Sequence, residues 1–138
     1  MVEMIGNQAS AQQVWQTIQQ WDQAVIELDI QTLTDLCQPD VKMFDLSSEI
    51  EGVEQYRQLW QQHSRYFFGH FYLQRRDIKI YAQDDLAFVC CHSKVSYSEK
   101  MDADWCRTSM CFQRQSGAWR LSHQHISLPQ QIAKPVYQ

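Results

Sequence analysis

His123 and His125 stand two residues apart in the stretch GAWRLSHQHIS, Gly117 to Ser127. Side chains two apart in a strand share a face. The pair therefore continues the row begun by Trp119 and Leu121, on the side a core occupies. Imidazole titrates nearer neutrality than any other side chain, so either ring could act as general acid or base on a small organic substrate. The competing role is structural, as hydrogen-bonded polar caps on the core. Chelation of a metal would need a third ligand nearby, and the sequence supplies no compact motif for one, so no metal is expected. Asp45 follows Met43 and Phe44. Among apolar groups a carboxylate becomes a better proton acceptor; alternatively its oxygen opens the turn at Leu46 and Ser47 by accepting backbone N–H groups. Arg107 carries a fork that could hold a carboxylate ligand or an internal acid. Alternation puts it opposite Met110 and Phe112, and a β-bulge would reverse that assignment. His92 shares parity with Phe88 and Cys90 and could lie beside the His123 row. Trp15, Trp60, Tyr56 and Tyr66 are candidate pocket walls, a role that competes with plain core packing.

These residues need elements to position them. Val14, Ile18, Trp21, Val25 and Leu28 recur at three- and four-residue steps, which predicts an amphipathic helix from Ser10 to Leu28. Ser10 and Gln13 fit a capping box at its start. The first nine residues show no period and read as a loose tail. A short helix from Gln31 to Cys37 is expected to end before Pro39, and a strand follows from Val41 to Leu46. Val53, Tyr56, Leu59, Trp60, His63 and Phe67 mark a third helix, with Gly69 just past its end. From Phe71 the period becomes two. Strands are expected over Phe71–Ala82, Leu86–Tyr97, Ala103–Gln113 and Ala118–Ser127. Asp84-Asp85 and Ser116-Gly117 form hairpin turns, and a third connection runs around Glu99 to Asp102. Helices first and strands after predict an α+β fold: three N-terminal helices packed on a long, curved antiparallel sheet, with a pocket or packed plug at the wide end of the cone. The core spans about 10–129 of a single domain, and the tail after Pro129 is irregular.

The bulk properties restrict the partners. The formal net charge is −4, and Arg75-Arg76 is the only adjacent basic pair, which argues against nucleic acid held through phosphates. No apolar run reaches membrane-spanning length and no signal peptide is evident. The five cysteines, Cys37, Cys90, Cys91, Cys106 and Cys111, lack CxxC spacing. They read as buried thiols in a reducing, cytoplasmic setting.

The segment RTSMCFQRQSGAWRLSHQHISLP resembles the SnoaL-like branch of the nuclear transport factor two-like superfamily. That superfamily has the cystatin-like cone fold of ketosteroid isomerase. Arg107, Thr108, Gly117, Trp119, Leu121, His123, His125 and Ser127 carry the resemblance. Phe44, Asp45 and Gly52 add a second match, and the similarity extends from about Gln12 to Pro129. The resemblance implies a small-molecule-binding domain, with a cofactor-free isomerase, lyase, dehydratase or polyketide-cyclase-like activity as one expectation. Asp45, His123 and His125 would serve as catalytic residues on a small organic ligand such as a carboxylate. Arg107 then leans towards the pocket. It also implies a homodimer, formed through the exposed sheet face. The tyrosine-plus-aspartate arrangement of ketosteroid isomerase is not recognisable in the sequence. The alternative is a non-catalytic binding or oligomerisation domain, similar to the association domain of calmodulin-dependent kinases. Fold likeness by itself does not choose between them.

Overall fold

The structure is a computed structural model that describes residues 1–64, 72–96 and 103–130. The chain runs β1 (Val2–Gly6), α1 (Gln8–Glu27), α2 (Ile30–Asp35), β2 (Cys37–Phe44), β3 (Glu49–Glu51), α3 (Val53–Ser64), β4 (Tyr72–Ala82), β5 (Leu86–Ser96), β6 (Cys106–Gln115) and β7 (Ala118–Ser127). The helix-then-strand order gives the expected α+β architecture. One seven-stranded sheet forms in the order β1-β4-β5-β6-β7-β2-β3.

The N-terminal residues are not a loose tail. Val2–Gly6 pairs in parallel with β4, Val2 opposite Ile78 and Gly6 opposite Ala82. The chain then turns at once into α1, whose N-cap is Asn7: its side-chain oxygen accepts from Ser10 N–H at 3.0 Å. Ser10 is thus a helical residue and not the cap. The sheet is mixed where an antiparallel one was expected, because β2 also pairs in parallel with β7. Both parallel contacts join strands far apart in sequence, which local patterning does not register.

The hairpins follow the sequence closely. Gln83 N–H donates to Leu86 O across Asp84-Asp85. Ser116 and Gly117 both take positive φ, at 52° and 78°, as a two-residue turn of the hairpin-favoured hand requires. Side chains of α1 (Val14, Ile18, Trp21) meet inward side chains of the sheet (Ile80, Val89, Met110, Phe112, Leu121), all of them buried.

Single-residue irregularities interrupt the pairing and bend the sheet. In β4 the register shifts between Arg76 and Lys79, where Asp77 takes φ 55°. In β7 it shifts because Cys111 faces His123 while the next residue, Phe112, faces Leu121, leaving Ser122 extra. An extra residue moves every side chain beyond it to the opposite face. Trp119 and Leu121 point to the helices, and past the bulge Gln124 is the buried residue, at 8% exposed. The expected inward row Trp119, Leu121, His123, His125 is therefore broken in its middle. Tyr66, Phe67, Gly69, Phe71, Tyr97, the connection over Glu99–Asp102 and the tail beyond Gln130 lie outside the described residues.

Candidate functional site

Between the helices and the open end of the sheet lies a cavity of about 450 Å³. One wall is aromatic. Trp21 of α1 stacks on Tyr56 of α3 at 5.6 Å between centroids, and Trp60, one turn on, meets Tyr56 edge-on at 6.3 Å. The sheet supplies Leu73 and Arg75 from β4, Ser93 and Val95 from β5, Cys106 and Thr108 from β6, and Gln124 and Ile126 from β7. Asp45, Leu46 and Ser47 border the cavity from the segment after β2. Such a surface, mainly apolar with a few polar groups, is what a small-molecule site presents.

Its main charge is a buried ion pair. Arg75 Nε donates to Asp22 Oδ2 at 2.8 Å and Oδ1 at 3.0 Å, and Nη2 donates to Oδ1 at 2.8 Å. The side chains are only 7% and 18% exposed. Arg75 Nη1 also reaches Cys91 Sγ at 3.5 Å. Burial works against the guanidinium charge, but the hydrogen bonds and charge of Asp22 outweigh it, and the Arg75 pKa is raised. Each Nη nitrogen carries two N–H groups. One on each is engaged, so one on each is left without a partner among the described residues. Asp22 lies beside the apolar stripe of α1 and not on it, and unbroken alternation from the buried Ile78 and Ile80 would send Arg75 to the outer face; the register shift between Arg76 and Lys79 brings it inward to Asp22.

The remaining polar groups are quieter. The Ser93 and Thr108 hydroxyls hydrogen-bond to each other. Burial pushes the Tyr56 phenol well above its ordinary value, a hydrogen bond with Trp60 working the other way; the charges of Asp45 and Arg75 act on it with opposite sign. Tyr56 thus remains a protonated donor. Burial also raises the Cys106 thiol, and the charges of Asp45 and Asp104 add to it. Asp45 is exposed at the mouth. Its Oδ1 accepts from Leu46 N–H at 2.7 Å, as the turn-opening role requires, and Oδ2 has no partner among the described residues.

Of the residues singled out from sequence, Asp45, Tyr56 and Trp60 border the cavity together. His123 and His125 do not. The Ser122 bulge turns them to the outer face, where both rings meet the Phe44 ring edge-on at 5.3 and 5.4 Å. His123 Nδ1 lies 2.7 Å from Lys42 O. Arg107 and His92, paired across β5 and β6, also face outward. Arg107 donates to Ser127 Oγ at 3.1 Å, and His92 Nδ1 lies 2.9 Å from Asp77 Oδ2. The bulge that would bring Arg107 inward does not occur in β6; the extra residues fall on β4 and β7. Trp15 is half-buried against the core and off the cavity, and Tyr66 lies outside the described residues. Arg75, Asp22, Gln124, Trp21 and the Ser93–Thr108 pair were missed. Among the described residues no group of three or more His, Cys, Asp or Glu could hold a metal ion, and no helix is long and apolar enough to cross a membrane.

The model of the SnoaL-like domain matches residues 14–131 of the chain. No curated protein sequence matches it. Among solved structures, an NTF2-like protein of unknown function from Pseudomonas putida superposes with a TM-score of 0.80 at 24% identity, covering 88% of this chain and 87% of that one. A candidate dehydratase of the NTF2-like family from Streptomyces avermitilis gives a TM-score of 0.76 at 17% identity, covering 86% and 95%. The CaMKII association domain of Caenorhabditis elegans gives 0.69 at 20% identity, covering 87% and 96%. At these identities the likeness is one of fold, and it confirms the cystatin-like cone.

Proposed function

The chain belongs to the SnoaL-like domain family, and on that premise we propose that it binds a small organic acid in the cavity under its helices. The supporting observation is the buried Arg75, which gives Nε and one Nη2 N–H to Asp22 and one Nη1 N–H to Cys91, and keeps one N–H on each Nη nitrogen unengaged among the described residues, in an otherwise mainly apolar chamber. A guanidinium with two parallel N–H groups matches a carboxylate in shape and charge. The volume of about 450 Å³ falls within the range of small-ligand pockets. Trp21, Tyr56 and Trp60 would then take the apolar body of the ligand.

The chemistry we infer is cofactor-free proton transfer of the isomerase, lyase or cyclase kind. Asp45, with Oδ2 open, would remove a proton from a carbon beside a carbonyl. The protonated Tyr56 phenol would donate a hydrogen bond to the oxygen on which charge develops. His123 and His125, which the bulge sends outward, take no part. The test is a panel of small carboxylates and enolisable keto acids, followed by calorimetry and by α-proton exchange with deuterated water. The paired variant Asp22→Leu/Arg75→Met removes both buried charges together and should abolish binding. Asp45→Asn should leave binding intact and slow exchange by roughly 10²- to 10⁴-fold, the usual worth of a positioned base. A paired variant that binds as the parent does would sink the anchor, and undiminished exchange in Asp45→Asn would sink the base.

A second reading is carried by the outer face. Phe88 is 47% exposed and stacked on Tyr81 at 4.4 Å, with Leu86 beside it at 55%. We infer that this patch is covered in a homodimer. Cys90, expected to be buried, is exposed, because it alternates onto the outer face of β5, while Cys37 and Cys91 are buried as expected; from these free thiols we infer a reducing, cytoplasmic setting for both readings.

A further inference from the structure

A second depression, of about 680 Å³, lies where α2, the start of β2, α3 and the β6–β7 hairpin meet. It shares no residue with the cavity. The register of β2 breaks between Cys37 and Lys42, and this turns two consecutive side chains, Cys37 and Gln38, inward. Gln38 is 5% exposed and borders the depression, and its Nε2 has no hydrogen-bond partner among the described residues. A buried amide donor left unmatched is costly, so its neighbourhood is the place to look for a missing acceptor.

The surroundings are rich in donors. Arg120 spends Nε on the Asp35 carbonyl at 3.4 Å, and both its Nη nitrogens are unengaged among the described residues. Arg57 spends Nε on Glu54 at 3.2 Å and Nη1 on Gln31 at 3.3 Å, which leaves Nη2. Of the local acceptors, Asp35 Oδ1 takes Gln31 Nε2 at 2.9 Å, while Asp35 Oδ2 stays open among the described residues; the Thr34 hydroxyl donates to Gln31 O. Two guanidinium groups line the depression against the one carboxylate of Asp35, and the unengaged N–H donors on Arg120, Arg57 and Gln38 outnumber the open oxygens of Asp35 and Thr34, so a ligand that balances them is small, anionic and rich in acceptors.

We propose that this depression is a second binding site, for an oxyanion group of the carboxylate or phosphate kind, held by the Gln38 amide and the guanidinium groups of Arg120 and Arg57. It stands independently of the cavity reading. The test titrates the ¹⁵N-labelled full chain at constant ionic strength with inorganic phosphate and, separately, with acetate, following the Gln38 side-chain amide. A saturable shift is expected, and the anion giving the tighter curve identifies the group. By calorimetry, Arg120→Gln should weaken binding on the order of tenfold or more, as loss of a charge-assisted contact does. Arg107→Gln, the same charge change on the outer face, should leave it unchanged. Gln38→Leu should fold, since its amide nitrogen has no partner among the described residues, and lose binding. Absence of a saturable shift with both anions would overturn the proposal. So would equal weakening by Arg107→Gln and Arg120→Gln, or undiminished binding in Gln38→Leu.

Discussion

Replacing Asp22 by alanine leaves the Arg75 guanidinium, 7% exposed, with the Cys91 thiol at 3.5 Å as its one partner among the described residues. Three close contacts at 2.8 to 3.0 Å disappear together. Breaking a buried pair from one side costs about 3–5 kcal/mol, because the orphaned charge keeps its desolvation penalty. Asp22 is 18% exposed, so water can partly take its place, and we expect the lower figure, about 3 kcal/mol. For a chain of 138 residues the unfolding entropy is roughly 0.29 kcal/mol/K, and a loss of that size lowers Tm by about 10 °C. Urea and thermal unfolding at matched pH measure both. The Asp22→Leu/Arg75→Met variant should recover most of the loss, since it buries no charge. Asp22→Asn keeps the shape and frees the positive charge. An added small carboxylate should raise its Tm more than that of the parent, by mass action on the folded state. A loss below about 1 kcal/mol in Asp22→Ala would mean that Arg75 is well hydrated. The cavity would then hold no desolvated fork to offer, and the ligand argument would fail with it.

Two further outcomes follow from the same coordinates. Burial pushes the Cys37 thiol from 9.0 up to about 12. Between those values the folded state keeps a proton that the unfolded state releases, so stability is full below pH 9 and falls as pH rises. The slope is about 1.4 kcal/mol per pH unit, and unfolding curves from pH 8 to 11 should show a shallower decline in Cys37→Ala. Phe88→Glu should convert a dimer to a monomer in light scattering while leaving Tm within a few degrees. A parent protein that is monomeric at micromolar concentration would refute the homodimer.

Much of the architecture could be read from the residues in order. The spacing of Val14, Ile18, Trp21 and Val25 specifies α1, because one apolar stripe at helical period can be buried only in that conformation. Ser116-Gly117 specifies its hairpin, because few residue pairs accept positive φ twice. Tyr56 and Trp60 were legible as site candidates for a related reason, as both lie on the inner stripe of α3, and Asp45 because it directly follows the regular end of β2, beyond the register break between Cys37 and Lys42. What the chain order could not disclose is relative to a partner strand. β1 exists only because β4 offers it an edge. A bulge is likewise defined by two residues facing one, and GAWRLSHQHIS reads as perfect alternation whether or not Ser122 is the extra residue. That single insertion moved His123 and His125 outward and brought Gln124 inward. The break in β4 let Arg75 and Ile78, three apart, share the inner face. Periodicity determines which faces are apolar; pairing across the sheet decides where each face changes sides, and with that which side chains meet in the cavity.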